Sequence, residues 1–289
     1  MKNLLSLLRI KQYVKNLFIF LPAFFGLRFF DIETLLKDTV AFISFSLIAS
    51  SIYVLNDILD VESDKKHPTK KNRPIASGKI STKKAIIIMI VLLIAGVGVA
   101  LTLQNITILY FIGAYLAINI LYVFWIKHIG VIDIFAIASG YVIRVLIGGA
   151  AGDIHINPWI IIMTFLLALF LGFAKRRDDV LIMQNTGKVM RKSINGYNLQ
   201  FVDSALFITS AITIVAYLMY TISAETIARY NTGDIYVTTL FVLLGILRYL
   251  QITIALEKSG SPTEMLYKDR VLQFSILGWI VSFLIILYL

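Results

Sequence analysis

The sequence predicts an all-α, polytopic membrane protein, a run of nine transmembrane helices in a single domain spanning 1–289, and three observations carry that expectation. Apolar residues make up 58% of the 289-residue chain and charged residues only 15%, against about a quarter charged in an ordinary soluble domain. Mean hydropathy is +0.84 over the whole length. Uncharged runs of membrane-crossing length recur from one end of the chain to the other.

The spans follow in order. The first is expected at 17–36, which carries Arg28 and Asp31, and the second is the uncharged run 39–56. Between Lys84 and Lys127 lie 42 residues without a charge; as helix they would extend about 63 Å, roughly twice the hydrocarbon thickness. They are therefore read as two spans, 85–103 and 106–125, broken at Leu103-Gln104-Asn105. The fifth, 131–152, contains Arg144, and the eighth, 236–255, contains Arg248. Uncharged runs at 154–174, 204–224 and 271–289 supply the sixth, seventh and ninth. With the N-terminus inside, the inner segments hold 22 Lys and Arg residues and the outer ones three, the asymmetry that the positive-inside rule requires.

Composition also excludes chemistry. There is no cysteine, which removes disulfides, zinc–thiolate sites, iron–sulfur clusters and cysteine nucleophiles. His67, His128 and His155 are too scattered for a metal motif. The net charge of +10 is what membrane topology and anionic headgroups produce, and no nucleic-acid motif accompanies it. Residues 1–21 lack the small-residue cleavage site of a signal peptide.

Acidic residues gather where the second span ends. At 100° per residue, Asp57, Asp60 and Asp64 fall at about 0°, 300° and 340° of a continuous helix and Asn56 at about 260°, whereas Glu62 points elsewhere. Carboxylates so placed repel one another unless a cation sits among them, and hard oxygen ligands favour Mg²⁺, which keeps positions for a substrate phosphate. The competing reading is a solvated helix end balancing the lysines that follow. Residues 65–74, including Lys70 and Arg73, form a basic loop suited to the rest of an anion. A second charged cluster, Lys175-Arg176-Arg177-Asp178-Asp179, closes the sixth span; its adjacent acids diverge by about 100°, so one of them at most is expected on a metal. Asn119, Tyr122, Arg144 and Arg248 lie within or near the hydrocarbon, where each arginine should meet an anion. The alternative partners for these arginines are Asp133 and Asp203. Gly140, Gly148, Gly149 and Gly152 are read first as packing positions.

The stretch Asn56-Asp57-x-x-Asp60-x-x-x-Asp64, followed by His67-Pro68-x-Lys70-x-x-Arg73-Pro74-Ile75-Ala76-x-Gly78, resembles the first signature of the UbiA superfamily of intramembrane prenyltransferases. Residues 11–16, 143–150 and 175–177, Tyr197-x-Leu199-x-Phe201-x-Asp203, Arg248-Tyr249 and Asp269-Arg270 resemble its polyprenyl-phosphate phosphoribosyltransferase subgroup, and the likeness covers nearly the whole chain. It implies a nine-helix bundle with a cytoplasm-facing cavity in a prokaryotic cytoplasmic membrane. It also implies Mg²⁺ on the first motif gripping the diphosphate of phosphoribosyl pyrophosphate, and a polyprenyl phosphate entering from the bilayer as acceptor. The superfamily's second D-x-x-x-D motif is absent, since Asp178-Asp179 is followed by four apolar residues.

On this reading Asp57, Asp60 and Asp64 are catalytic and, with Asn56, hold the metal. The expected substrate contacts are Lys11, Lys15, Asn56, Lys70, Arg73 and Tyr122, together with Lys127, Arg144, Lys175, Arg176, Asp178 and Tyr197. An acceptor phosphate is already ionised at neutral pH, so leaving-group stabilisation and positioning carry the catalysis. The alternative within enzymes moves a polyprenyl group from its diphosphate to an aromatic or other small acceptor on the same acids. A secondary transporter lacks a pair of broken helices at the midplane, and a scaffold leaves the acids unexplained. Oligomeric state is open, a homo-oligomer included.

Overall fold

The computed structural model describes residues 2–66, 70–187, 194, 196–257 and 262–288. His67, Pro68 and Thr69 of the basic loop, and Lys188, Arg191, Lys192 and Lys258 of the charge count, lie outside the described residues. Among those described, eight helices are long and apolar enough to cross a bilayer. The chain divides into two compact units, Met1–Trp125 with Gly140–Ile156, and Ile126–Ser139 with Asn157–Leu289.

In the first unit, α1 (Lys2–Leu8) leads into a 3₁₀ stretch, Ile10–Phe20, followed by α2 (Leu21–Phe25), α3 (Ile32–Leu59), α4 (Val61–Lys66), α5 (Thr82–Leu101) and α6 (Ile106–Phe124). The span expected at 17–36 is not one helix. Pro22 opens α2, Gly26 closes it, and Leu27 takes a φ of 57°, so the chain turns before Asp31 caps α3 through the Thr34 amide at 3.2 Å. The cap also holds the Asp31 carboxyl below its ordinary range, chiefly through the hydrogen bond from the Thr34 hydroxyl.

The 3₁₀ stretch explains its own sequence. With three residues per turn, positions i and i+3 eclipse, so Tyr13, Asn16 and Ile19 share a face. That face meets α3: the Tyr13 and Ser50 hydroxyls are 2.9 Å apart, and Asn16 Nδ2 donates to Ser46 Oγ at 2.8 Å. Lys11, Val14 and Leu17, one position later in each triplet, are exposed. On another side, α3 packs on α5, where a Cβ at Gly96 would lie 2.6 Å from Ile48, and Ser44 Oγ donates to the Gly96 carbonyl at 2.7 Å.

Helix α7 (Ile132–Gly152) gives its later residues, from Gly140, to this unit. A Cβ at Gly148 would sit 1.8 Å from the Ile19 carbonyl oxygen, so the 3₁₀ stretch and α7 approach closely only because this residue is glycine. Gly148→Ala is expected to lower stability by about 1–3 kcal/mol, the usual range for overpacking. Thermal unfolding of the purified variant checks this, and an unchanged midpoint would show that the two elements separate freely.

The second unit contains the start of α7, then α8 (Pro158–Thr186), α9 (Leu199–Thr221), α10 (Ala224–Tyr230), α11 (Thr239–Leu250), α12 (Pro262–Lys268) and α13 (Arg270–Tyr288). Its main pairings are α8 with α9 and α11 with α13. Asn157 caps α8 through the Trp159 amide at 2.9 Å, with Pro158 next, where a missing N–H is harmless. Helix α11 runs into a π-helical turn, Gln251–Ala255.

Candidate active site

The acid cluster of the first unit is organised by arginines. Asp57, on the last turn of α3, and Asp64, on α4, are each 2% exposed. Arg73 returns from the basic loop and places one atom, Nη1, 3.0 Å from Asp57 Oδ1 and 2.7 Å from Asp64 Oδ2. Arg9 donates its Nη2 to the same Asp57 oxygen, and its guanidinium lies 5.0 Å from the Tyr53 ring centre. Arg9 adopts φ 52°, ψ 47° between α1 and the 3₁₀ stretch, a left-handed conformation that a non-glycine residue holds only when its surroundings fix it. The Leu8 carbonyl beside it accepts from Ser50 Oγ at 2.9 Å.

The cage of three aspartates and Asn56 is expected from a continuous helix, whereas among the described residues no group of three or more acidic or histidine side chains is gathered closely enough to hold a metal. Helix α3 ends at Leu59, and Asp60 leaves helical geometry at φ −93°, ψ 7°, so angles counted along an unbroken helix do not carry through to Asp64. What the fold does bring together is Asp57 with Asp64, across Arg73. This donor set fits a hard divalent ion, because two buried carboxylates converge on one point where a cationic nitrogen now stands. Arg9 was counted in the sequence only as topological charge, and it lies 48 residues from its partner, with no local motif to reveal the pairing.

Other expected residues of this unit fall around that centre or apart from it. Lys11 is exposed and Lys15 half-buried on the 3₁₀ stretch, Lys70 is half-buried in the basic loop, and Tyr122 is half-buried near the end of α6. Asn119 turns to its own helix, donating to the Tyr115 carbonyl at 2.8 Å. Arg144 is 4% exposed; its Nε donates to Asn16 Oδ1 at 2.8 Å and its Nη1 to the Gly140 carbonyl at 2.6 Å.

In the second unit the cluster on α8 is largely neutralised from within. Arg176, 1% exposed, reaches Asp133 at 2.6 Å and Asp179 at 3.4 Å. Its guanidinium is held by these two carboxylates in the absence of substrate. Arg177 pairs with Asp203 at 2.6 Å and donates to the Thr253 carbonyl at 2.7 Å; that carbonyl belongs to the π-helical turn, where backbone pairing departs from the α pattern. Tyr197 is buried, accepts from the Val131 amide and stacks on Phe201; burial pushes its hydroxyl above the ordinary range. Lys175 is exposed, while Asp178 and Lys127 are half-buried.

Asp133 and Asp203 were the alternative partners for the intramembrane arginines, and both are engaged by the α8 arginines instead. Arg248 pairs with Asp269 at 2.7 Å. Asp269 also caps α13 through the Val271 and Leu272 amides, both at 3.0 Å. The bond from Arg248 holds the Asp269 carboxyl below its ordinary range. A depressed carboxyl contributes stability above its unfolded pKa and loses it as pH falls through the folded value.

Fold and site together define an integral membrane protein, helical among the described residues, with a buried acid pair faced by two arginines. Against known proteins, the model of the UbiA prenyltransferase family matches residues 17–277, and the chain belongs to that family. It is 32% identical to the decaprenyl-phosphate phosphoribosyltransferase of Mycolicibacterium smegmatis, over 96% of this chain and 90% of that one. It is 30% identical to the enzyme of the same name from Corynebacterium glutamicum, over 99% and 87%. In fold it is similar to a UbiA homologue from Archaeoglobus fulgidus solved with DMAPP and Mg²⁺, with a TM-score of 0.72, 20% identity and 99% of both chains covered.

Proposed function

We propose that this chain transfers the 5-phosphoribosyl group from phosphoribosyl pyrophosphate to a polyprenyl phosphate, releasing diphosphate, with residues 1–289 acting as one transferase domain. The observation that carries the proposal is the Asp57–Arg73–Asp64 arrangement, supported by near-full-length similarity to phosphoribosyltransferases of that name. Asp57 and Asp64 would hold Mg²⁺, beside Asp60 and Asn56 at the end of α3. When bound, the ion supplies electrostatic stabilisation to the departing diphosphate. Arg73 and Arg9 supply cationic hydrogen-bond donors for the same charge as it develops on breaking the C1–O bond. Lys11 and Lys15 are the residues we assign to the acceptor phosphate, which needs orientation rather than a base. The reaction is placed at the cytoplasmic face of a prokaryotic cytoplasmic membrane, where both the charge asymmetry and a soluble donor favour it.

The test offers the purified protein two substrate pairs, radiolabelled phosphoribosyl pyrophosphate with polyprenyl phosphate, and prenyl diphosphate with an aromatic acid. Labelled lipid is expected from the first pair only, and only with Mg²⁺. Product from the second pair alone would overturn the phosphoribosyl reading in favour of prenyl transfer.

A further inference from the structure

Among the described residues, the arginines that are buried or half-buried follow a rule with one exception. Arg9, Arg73, Arg176, Arg177, Arg229 and Arg248 each pair with a carboxylate. Arg144 is buried at 4% exposure, yet among the described residues it has no acidic partner. Its hydrogen bonds go to a neutral amide oxygen and a backbone carbonyl. Aromatic side chains surround it as well: the guanidinium carbon lies 4.7 Å from the Phe45 ring centre and 5.5 Å from those of Tyr115 and Tyr141, and the neutral Tyr115 hydroxyl is a further hydrogen-bonding neighbour. Ring faces orient a guanidinium and offset part of its desolvation, but they carry no net charge. A guanidinium at membrane depth with neutral partners alone is costly, and such residues mark sites where an anion is received.

Its position relative to the acid pair narrows the anion. Inward along α3 from Asp57, bonded by Arg9, come Ser50 with Tyr13 and then Ser46 with Asn16, and Arg144 is fixed to that same Asn16. Ser46 lies roughly 16 Å of helix from Asp57. The Arg144 side chain runs back one turn to Gly140, toward the end of α7 that alternation of spans places on the Asp57 side. A lipid phosphate stays at headgroup level, whereas a small donor gripped at Asp57 would lie at the cytoplasmic end of this polar seam, with its far end directed inward. We propose that Arg144 receives a phosphate monoester, and that this group is the 5-phosphate of the donor. Arg144 then sets donor specificity, because a prenyl diphosphate has no second anion to place there. The proposal rests on the phosphoribosyl reading above.

The experiment compares wild type, Arg144→Met, Arg144→Lys and Asn16→Asp, using phosphoribosyl pyrophosphate and ribosyl pyrophosphate without the 5-phosphate. Wild type is expected to prefer the phosphorylated donor by about 100-fold in kcat/KM, the size of one buried charge-assisted contact. Arg144→Met should bring that ratio close to one through donor KM, leave acceptor KM unchanged, and be partly rescued by Arg144→Lys. Asn16→Asp keeps the fold, because it gives the guanidinium an internal carboxylate, and should show the same loss with an undiminished unfolding midpoint. A ratio preserved in Arg144→Met or Asn16→Asp, or a rise in acceptor KM in place of donor KM, would overturn the assignment. Thermal stabilisation by ribose 5-phosphate, present in wild type and absent in Asn16→Asp, reads the site without turnover. It therefore separates failure of this assignment from a wild-type protein that is inert toward phosphoribosyl pyrophosphate.

Discussion

Replacing Asp57 with asparagine is expected to lower turnover by about 10³-fold, the loss of several kcal/mol of leaving-group stabilisation. The carboxylate is 2% exposed and accepts from both Arg9 and Arg73. Asparagine fills the same volume but removes the negative charge, leaving Arg73 with Asp64 and taking from Arg9 the carboxylate it donates to. Removing one partner from a buried pair typically destabilises by about 3–5 kcal/mol, so the unfolding midpoint should fall as well. Diphosphate release is therefore measured on protein verified as folded by size exclusion, at a temperature below the variant's midpoint. Asp64→Asn provides the companion measurement, because Asp64 pairs with Arg73 whereas Asp57 accepts from two arginines, and it should lose comparable activity with a smaller fall in midpoint. Turnover within tenfold of wild type in Asp57→Asn would remove the acid pair from the chemistry.

The long helices were legible in the sequence because bilayer thickness leaves a plain record: a run of about 20 apolar residues has few other uses. The structured spans Thr82–Leu101 and Ile106–Phe124 fall within a few residues of the expected 85–103 and 106–125. The N-terminal region was not legible in the same way. A hydropathy window over 17–36 does not distinguish an α-helix from a 3₁₀ stretch followed by a Pro22-initiated turn, and the triplet pattern of Tyr13, Asn16 and Ile19 acquires meaning only once α3 is beside it. The same limit governs the site. Asp57 and Asp64 were legible as acids at a helix end, but their meeting depends on the loop bringing Arg73 back over them. Helical angles cannot anticipate that return, and they misplace residues as soon as the backbone bends at Asp60. Arg144 shows the converse: the cost of a charge in the membrane marked it from sequence alone, while only packing reveals that Asp133 and Asp203 serve other arginines.

Arg73→Met yields the second large effect, and its sign depends on which ligand is offered. In the free protein the Arg73 guanidinium stands between Asp57 and Asp64, so it competes with a divalent cation for the same two carboxylates. Once the donor arrives, the same group is suited to the diphosphate oxygens. Removing it should therefore tighten binding of Mn²⁺ alone, by about tenfold for one relieved competing contact at ~1.4 kcal/mol, as read by the paramagnetic signal of the free ion. Donor binding should weaken by about 10²–10³-fold, as expected when a charged hydrogen-bonding partner is lost. The two carboxylates left facing each other should also lower the unfolding midpoint of the metal-free variant, and metal should restore it by a larger margin than in wild type. A residue with only a structural role moves metal and donor affinity in the same direction. Weaker Mn²⁺ binding in Arg73→Met would thus show that the arginine builds the acid pair rather than occupying the place of the cation.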